Sequence, residues 1–541
     1  MLTLPLIPID DRAHPAFMDA ASCAQWLGQL QLTNLHQAHG VLRAQLHEFN
    51  RYPMPGLERL HTLELLRETV SSIQADYAKK LVAKRLPLND NEHSIFAAII
   101  ELWQGMISGY QRCLHDYLAG DAQLATYRAL LCQRCLLYSG LKISEHQRSG
   151  YEFDGRLYHQ LHALYLFSEE QGLQLAEVKD ELGGSTLNTS CRATYVKTLL
   201  ACHASQAELT RHQLQILDGW LTLWSSGVTV ERQYVSSTDG APPLVVDLDS
   251  SLGLQALCLA SPSVHVRYLA MTPLSKLLRV KTILLQQGQS PQQLELGAGC
   301  SSTDCVTLLN ALHQCWCEEP IDRKAERRSA GQYAQMCYGM DGCFAYIANK
   351  PFKQPGKSTA LDTLSRKQIQ AFGHVLADTE QRHDLSGLGF VRETWQIQNE
   401  SIFGARLLRE GNVGARIGLN QLVALRPDDA DIFMLGTVRW ASVTQSGQLQ
   451  AGVRYLPGVP QAIAMKATGI NLTVSNQYVA ALLLPAVPAL KSPASLIIPR
   501  DWFKPERVIE IVQTDKEKLQ TKMGISVEKG LDYERVSFTE I

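Results

Sequence analysis

A change of hydrophobic period near residue 229 constrains this chain more than any single motif. From about residue 15 to residue 228, apolar residues recur at three- and four-residue steps, as in "GLERLHTLELLRETVSSIQADYAKKLVAKRL". That spacing belongs to helices that bury one face. Beyond residue 229 come short, β-branched, turn-punctuated stretches such as "VTVERQYVSSTDGAPPLVVDLDSSLGLQAL". Breaks at "NRYPMPG", at "PLNDNEH" (with Asn89 and Asp90 as candidate caps) and at "LGGST" set helices roughly every 25 to 40 residues, which favours stacked antiparallel pairs.

A length of 541 residues exceeds what one core accommodates. The expected fold is multidomain α plus β: an all-helical, helical-repeat-like N-terminal half, then small antiparallel β-barrel domains. Residues 1–228 form the helical domain. Residues 229–320 form a small β-rich domain, in which "LLRVKTILLQQGQSPQQLELG" reads as strand. It ends in a linking helix that starts at Ser301 to Asp304 and is closed by Pro320. Residues 321–465 form a barrel with a polar insertion at 350–388, and "QYAQMCYGMDGCFAYIAN" supplies one or two of its strands. Residues 466–541 are a second small barrel or strands completing the first.

Composition excludes several classes. A hydrophobic content of 45%, a charged content of 19% and a net charge of −2 fit a soluble globular protein and give no general nucleic-acid binder. The longest apolar run, "YVAALLLPAVPAL", is too short to span a bilayer, and the N-terminus lacks a secretory pattern, so a cytoplasmic chain without membrane insertion is expected. The 13 cysteines are odd in number and scattered, as buried reduced thiols are. Cys132 and Cys135 form one CxxC with no partner motif at zinc spacing. His36 with His39, and His159 with His162, stand three apart without an obvious carboxylate or thiol partner. No HExxH, GxSxG or complete Walker loop occurs, and "PFKQPGKST" has Pro351 where a phosphate loop needs its first glycine. Neither a metal site, a cofactor nor an enzyme is expected.

Two polar clusters remain. "IDRKAERRSAGQY" places Arg323, Lys324, Arg327 and Arg328 ahead of the first barrel strand, and "NESIFGARL" interrupts the strand pattern that "TWQIQ" begins, with Asn399, Ser401 and Gly404 at fixed offsets. A guanidinium fork fits phosphate two bonds at a time and stacks on a purine. A serine hydroxyl adds a bond to phosphate, an asparagine oxygen accepts from a guanine edge, and glycine permits close backbone approach. The ligand implied is anionic and combines phosphate with purine, and the arginine segment is a flap over a barrel wall.

R-x-x-x-R ahead of a small barrel, with [D/N]-x-S-x-x-G on an early strand, resembles the PilZ domain, a family of bacterial cyclic di-GMP receptors. Arg323 and Arg327 match the first motif, and Asn399, Ser401 and Gly404 the second. "LGTVRWASV" and "QAGVRYLPG" are similar to that family's later strands. The insertion sets the two motifs far apart, and the register of the arginines admits Arg328 as well. Asp247, Ser250 and Gly253 faintly echo the second motif, as a degenerate companion barrel without ligand would. The resemblance implies a sensor without chemistry of its own: cyclic di-GMP binds between flap and barrel, and the helical half meets an unidentified protein partner. The alternative is a nucleotide-blind scaffold acting through its helical half.

Overall fold

The structure, a computed structural model, describes residues 2–182, 185–204, 209–234, 240–259, 263–319, 331–355, 385, 389–411, 414–468, 477–512 and 518–541. Two compact units divide the chain: Met1–Lys84 with Leu88–Asp322, and Arg85–Pro87 with Arg323–Ile541. Among the described residues no helix is long and apolar enough to cross a membrane.

The first unit opens with α1 (Ala20–Gln29), α2 (Leu35–Arg51), α3 (Gly56–Ala78), α4 (Asp90–Leu118), α5 (Arg128–Ser149), α6 (Arg156–Glu170), α7 (Cys191–Ala204) and α8 (Arg211–Trp224). Asn89 caps α4, as its position after "PL" predicts. Its side chain accepts from the Glu92 amide at 2.9 Å, and the Glu92 carboxylate accepts from the Asn89 amide at 3.1 Å. Two orphan donors of the first turn are thereby satisfied. Helix α4 packs against α2, α3 and α5 and buries Phe96, Leu102, Met106 and Tyr110 in their shared core.

One part of this unit departs from the helical expectation. Around "LGGST" the chain forms a hairpin, β1 (Val178–Leu182) with β2 (Ser185–Thr189). It is tied to the helices by charge: Arg67 and Arg134, both buried, reach Asp180 of the hairpin and also Glu64 of α3. Two guanidinium groups facing two carboxylates leave no net charge inside, the condition for burying such groups.

Residues 229–320, expected as a domain of their own, contribute to the core of the helical unit. Strands β3 (Val230–Glu231), β4 (Leu244–Asp247), β5 (Gln255–Ala256) and β6 (Val266–Leu269) make an open sheet in the order β3-β6-β4-β5. Leu244, Val246 and Leu269 pack into the same cluster as the helices. "LLRVKTILLQQ", read as strand, belongs to helix α9 (Thr272–Gln286), with Pro273 in its first turn. Its β-branched residues misled; Leu274, Leu278, Lys281 and Leu285 bury at helical spacing. Helix α10 (Ser302–Cys317) starts at the Ser301 cap, whose hydroxyl accepts from the Asp304 amide at 3.2 Å.

In the second unit β7 (Tyr333–Tyr338) runs into a helix, α11 (Gly339–Ala348), where further strand was expected. Gly339 at φ +74° makes the turn that a side chain would resist. Then follow β8 (Arg392–Ser401), β9 (Gly404–Arg409), β10 (Leu422–Pro427), β11 (Met434–Val443) and β12 (Leu449–Tyr455). They close with β7 into a barrel ordered β10-β11-β12-β9-β8-β7. The tail is a second closed barrel in its own right. It comprises β13 (Gln461–Ala467), β14 (Val479–Leu484), β15 (Ser495–Pro499), β16 (Val508–Val512), β17 (Lys518–Lys529) and β18 (Tyr533–Glu540). The two barrels and α11 share one apolar cluster that includes Leu422, Phe344, Ile463 and Ile511.

Of the two histidine pairs, three rings have defined partners, and His159 is exposed. His36 meets the Tyr77 hydroxyl at 2.8 Å, and His39 meets Gln74 at 2.9 Å. His162, fully buried, accepts from the Tyr195 hydroxyl at 2.7 Å and donates to the Leu252 carbonyl at 2.8 Å, so both ring nitrogens are used. Burial lowers the His162 pKa from 6.5 to about 4. Unfolded chains bind this proton and native ones do not, so the neutral ring's contribution is complete above pH 6.5 and is lost as pH falls through about 4. One such ring is worth on the order of 3 kcal/mol. Thermal melts of the helical unit should therefore show a midpoint that falls across this window, with a shallower fall in His162→Gln. A midpoint independent of pH there contradicts the assignment.

Candidate functional site

Strand β8 begins as an ordinary barrel strand. Trp395 and Ile397 point inward and are fully buried, and the intervening residues face out. Continued alternation would send Asn399 and Ser401 into the core as well. A bulge prevents it: Ile397 lies opposite Leu407, but the next pairing is Asn399 with Arg406, so β8 spends one extra residue there. One extra residue exchanges the faces of everything after it. Asn399 and Ser401 accordingly share the outer face with their partners Arg406 and Gly404.

Strand β11 carries a matching irregularity. Val438 is buried opposite Val453, and the register then shifts so that Trp440 lies opposite Gly452. Trp440 is thus turned outward, where an unbulged strand would have buried it. Since Gly452 also pairs with Arg406, one continuous row crosses four strands: Asn399 on β8, Arg406 on β9, Gly452 on β12 and Trp440 on β11. The indole lies flat over Gly452, where an added Cβ would fall 2.0 Å from its nitrogen. The Arg406 guanidinium stands 5.7 Å from the centre of the Trp440 ring and donates to Gln450 at 2.7 Å. A cation above an indole, beside an amide, offers a planar guest both a stacking surface and donors.

A second row runs parallel two residues away: Ser401, Gly404, Arg454 and Thr437. Gly404 is there for close approach. A Cβ on it would stand 2.2 Å from the Val453 carbonyl oxygen and 3.2 Å from the Arg454 Cα, both backbone. The Ser401 hydroxyl accepts from the Phe403 amide and donates to the Gly404 carbonyl, each at 3.3 Å. These are long bonds from a rotor that can redirect its proton. On the opposite face of the strand, Glu400 accepts from the Tyr455 hydroxyl at 2.5 Å; burial, then that carboxylate, pushes the phenol well up, so it stays a neutral donor.

Of the residues singled out in the sequence, Asn399, Ser401 and Gly404 stand together on one face. Arg323, Arg327 and Arg328 lie outside the described residues, as does most of the 350–388 insertion with Gly356, Lys357 and Ser358. The point where the arginine segment rejoins the barrel is described: the Gln332 carbonyl accepts from the Ile397 amide at 2.7 Å, directly before the β8 bulge. Asp247, Ser250 and Gly253 do not form a second site. Ser250 donates to the Asp247 carbonyl at 2.8 Å, and a Cβ on Gly253 would collide with the Tyr158 hydroxyl, so this glycine serves packing. Cys132 and Cys135 are fully buried, with burial raising both thiols, Cys132 to about 12. Among the described residues no group of three or more His, Cys, Asp or Glu is placed to hold a metal ion. Sequence reasoning missed Arg406, Gly452 and Arg454 and left Trp440 as strand texture, because the bulges that align them leave no mark in the residue pattern.

The fold and this face define a PilZ-like barrel protein with a helical N-terminal half and a second barrel at its C-terminus. Residues 21–234 match the family described as "Cyclic-di-GMP receptor FimW, N-terminal domain", and residues 466–541 match the "FimW C-terminal beta-barrel domain". A protein of Pseudomonas aeruginosa, strain PAO1, named cyclic-di-GMP receptor FimW, is 22% identical over 560 residues, covering 93% of this chain and 88% of the relative. The two matched segments lie in the N-terminal and C-terminal parts of the chain, in the order that their descriptions give. The barrel with the outward polar row, β7 to β12, lies between the two matched segments.

The Gly404 contact gives a direct check. Gly404→Ala should lower stability by about 2 kcal/mol, because the colliding atoms are backbone and can yield only by parting β9 from β12. Thermal unfolding of purified protein reads this, and an unchanged midpoint would mean that the two strands are not held so closely.

Proposed function

We propose that the protein is a receptor for cyclic di-GMP that acts by binding alone. The observation that carries this is the outward row of Asn399, Arg406 and Trp440, with Ser401 beside it and the root of the arginine segment bonded to Ile397. A purine stacks on the Arg406 and Trp440 pair, the Asn399 amide meets a guanine edge, and phosphates take bonds from Ser401 and from arginine forks. Arg323 and Arg327 enter through the motif alone. Arg327 is five residues from Gln332, so its backbone lies within about 18 Å of the bulge at full extension. A relative named as a cyclic-di-GMP receptor supports the same ligand.

Output follows from ordering. A ligand held between flap and barrel shifts the flap only by its difference in affinity for the two arrangements. Because the flap joins the barrel to the helical half, that half is the surface offered to a protein partner. Stacked helices make extended binding faces of this kind. No catalytic step is assigned, and the matched family is named for reception of a ligand.

Calorimetric titration of the full chain with cyclic di-GMP tests the proposal. Binding is expected at micromolar protein, weakened in Ser401→Ala by about tenfold and abolished or weakened further in Arg327→Ala and Arg406→Ala, which each lose donors and a stacking plane. Absence of heat in the wild type, or binding indifferent to all three substitutions, would return the protein to the scaffold alternative.

A further inference from the structure

The two barrels of the second unit have the same topology. Counted from the first strand of each, both close in the order 1-2-3-6-5-4, as β7-β8-β9-β12-β11-β10 and as β13-β14-β15-β18-β17-β16. The position that corresponds to the Ser401 and Gly404 pair is Leu484 with Ser495. There the polar set is absent: Leu482 and Leu484 are fully buried where Asn399 and Ser401 face solvent. The incoming chain packs over the spot, with the Gly458 Cα so close that a Cβ would stand 2.9 Å from the Pro485 carbonyl. Among the described residues, the second barrel has the frame of the first without a polar set at these positions.

Its β17–β18 hairpin is fastened to the first barrel. The Leu531 amide donates to the Asn420 carbonyl at 2.8 Å, and Asp532 accepts from the Leu422 amide at 2.9 Å. The Tyr533 hydroxyl bonds Thr437 at 3.2 Å and donates to Glu528 at 3.1 Å, and Glu528 accepts from Arg454 at 2.7 Å. Thr437 and Arg454 belong to the row that also holds Ser401 and Gly404. Hairpin and candidate ligand therefore occupy neighbouring parts of one sheet face, and Arg454 stands between them.

We propose that the C-terminal barrel is a nucleotide-blind copy latched onto the ligand barrel, and that Arg454 is held by Glu528 in the empty protein and by the anionic ligand in the occupied one. This rests on the receptor reading above. Arg454 is 45% exposed and shares a face with Ser401 across the intervening strand β9, so its long fork can swing from carboxylate to phosphate without backbone movement. Ligand binding then spends part of its free energy in breaking the Glu528 contact, and by reciprocity the contact opposes binding. Released from Arg454, Glu528 retains only the Tyr533 hydroxyl among these groups, and the hairpin is held less firmly.

Titrating full-length wild type and Glu528→Gln with cyclic di-GMP tests this, together with hydrogen exchange of wild type with and without the ligand. Glu528→Gln should bind about fivefold more tightly, since the competitor for Arg454 is gone. The Leu422 and Leu531 amides should exchange faster in the saturated wild type. Asn399→Ala combined with Ser401→Ala should weaken all the binding that the full chain shows, and by more than Ser401→Ala alone, as one barrel holds the site. Equal affinities for wild type and Glu528→Gln, or exchange rates unmoved by ligand, overturn the sharing of Arg454. Undiminished binding in the double variant overturns the nucleotide-blind assignment. The exchange arm needs no substitution, so a variant that fails to fold leaves it standing. Failure of the wild type to bind is a separate outcome that defeats the receptor reading itself.

Discussion

Two β-bulges make the outward polar face of the first barrel. A barrel of six short strands has every reason to bury Asn399, Ser401 and Trp440, which continue the inward alternation of Trp395, Ile397 and Val438. One extra residue in β8 and one in β11 reverse that sense. Polar groups and an indole that would have cost stability inside the core become a shared outer surface. Gly452 then lets the indole lie down, and Gly404 lets β9 and β12 close up beneath it. The rest of the site, Arg406 above the ring and Arg454 along the next row, follows from cross-strand pairing.

This arrangement separates scaffold from site. Val423 and Leu425 fill the inside of the barrel, Leu422, Ala424 and Leu435 on its other face share a core with the neighbouring barrel, and the altered alternation is confined to β8 and β11. The second barrel has the same strand order, with Leu482 and Leu484 buried at the positions that correspond to Asn399 and Ser401. Alone, the first barrel would expose the start of β10, where Leu422 and the nearby Asn420 now bond the β17–β18 hairpin.

Much of the architecture was legible in the residues. Helices α1 to α8 lie within the stretch of helical periodicity, Asn89 and Ser301 cap the helices that they precede, and Asn399, Ser401 and Gly404 stand on the barrel wall. Failures share one cause, which is tertiary context overriding local preference. The β-branched Val280, Thr282 and Ile283 sit on α9 because its leucines bury at helical steps. Strand β7 gives way to α11 at Gly339, and residues 229–320 lose independence because their strands are too short to enclose a core. The partners of the motif, Arg406, Trp440 and Arg454, were hidden for a different reason. Their convergence depends on register, and register shifts with a single residue that no composition or period reveals.

A structure of the full chain crystallised with cyclic di-GMP is the measurement that bears most directly on the role of the bulged face. The expected result is a guanine stacked on the Arg406 and Trp440 pair, with its edge at Asn399 and a phosphate near Ser401. A nucleotide bound elsewhere, with that row vacant, would contradict it.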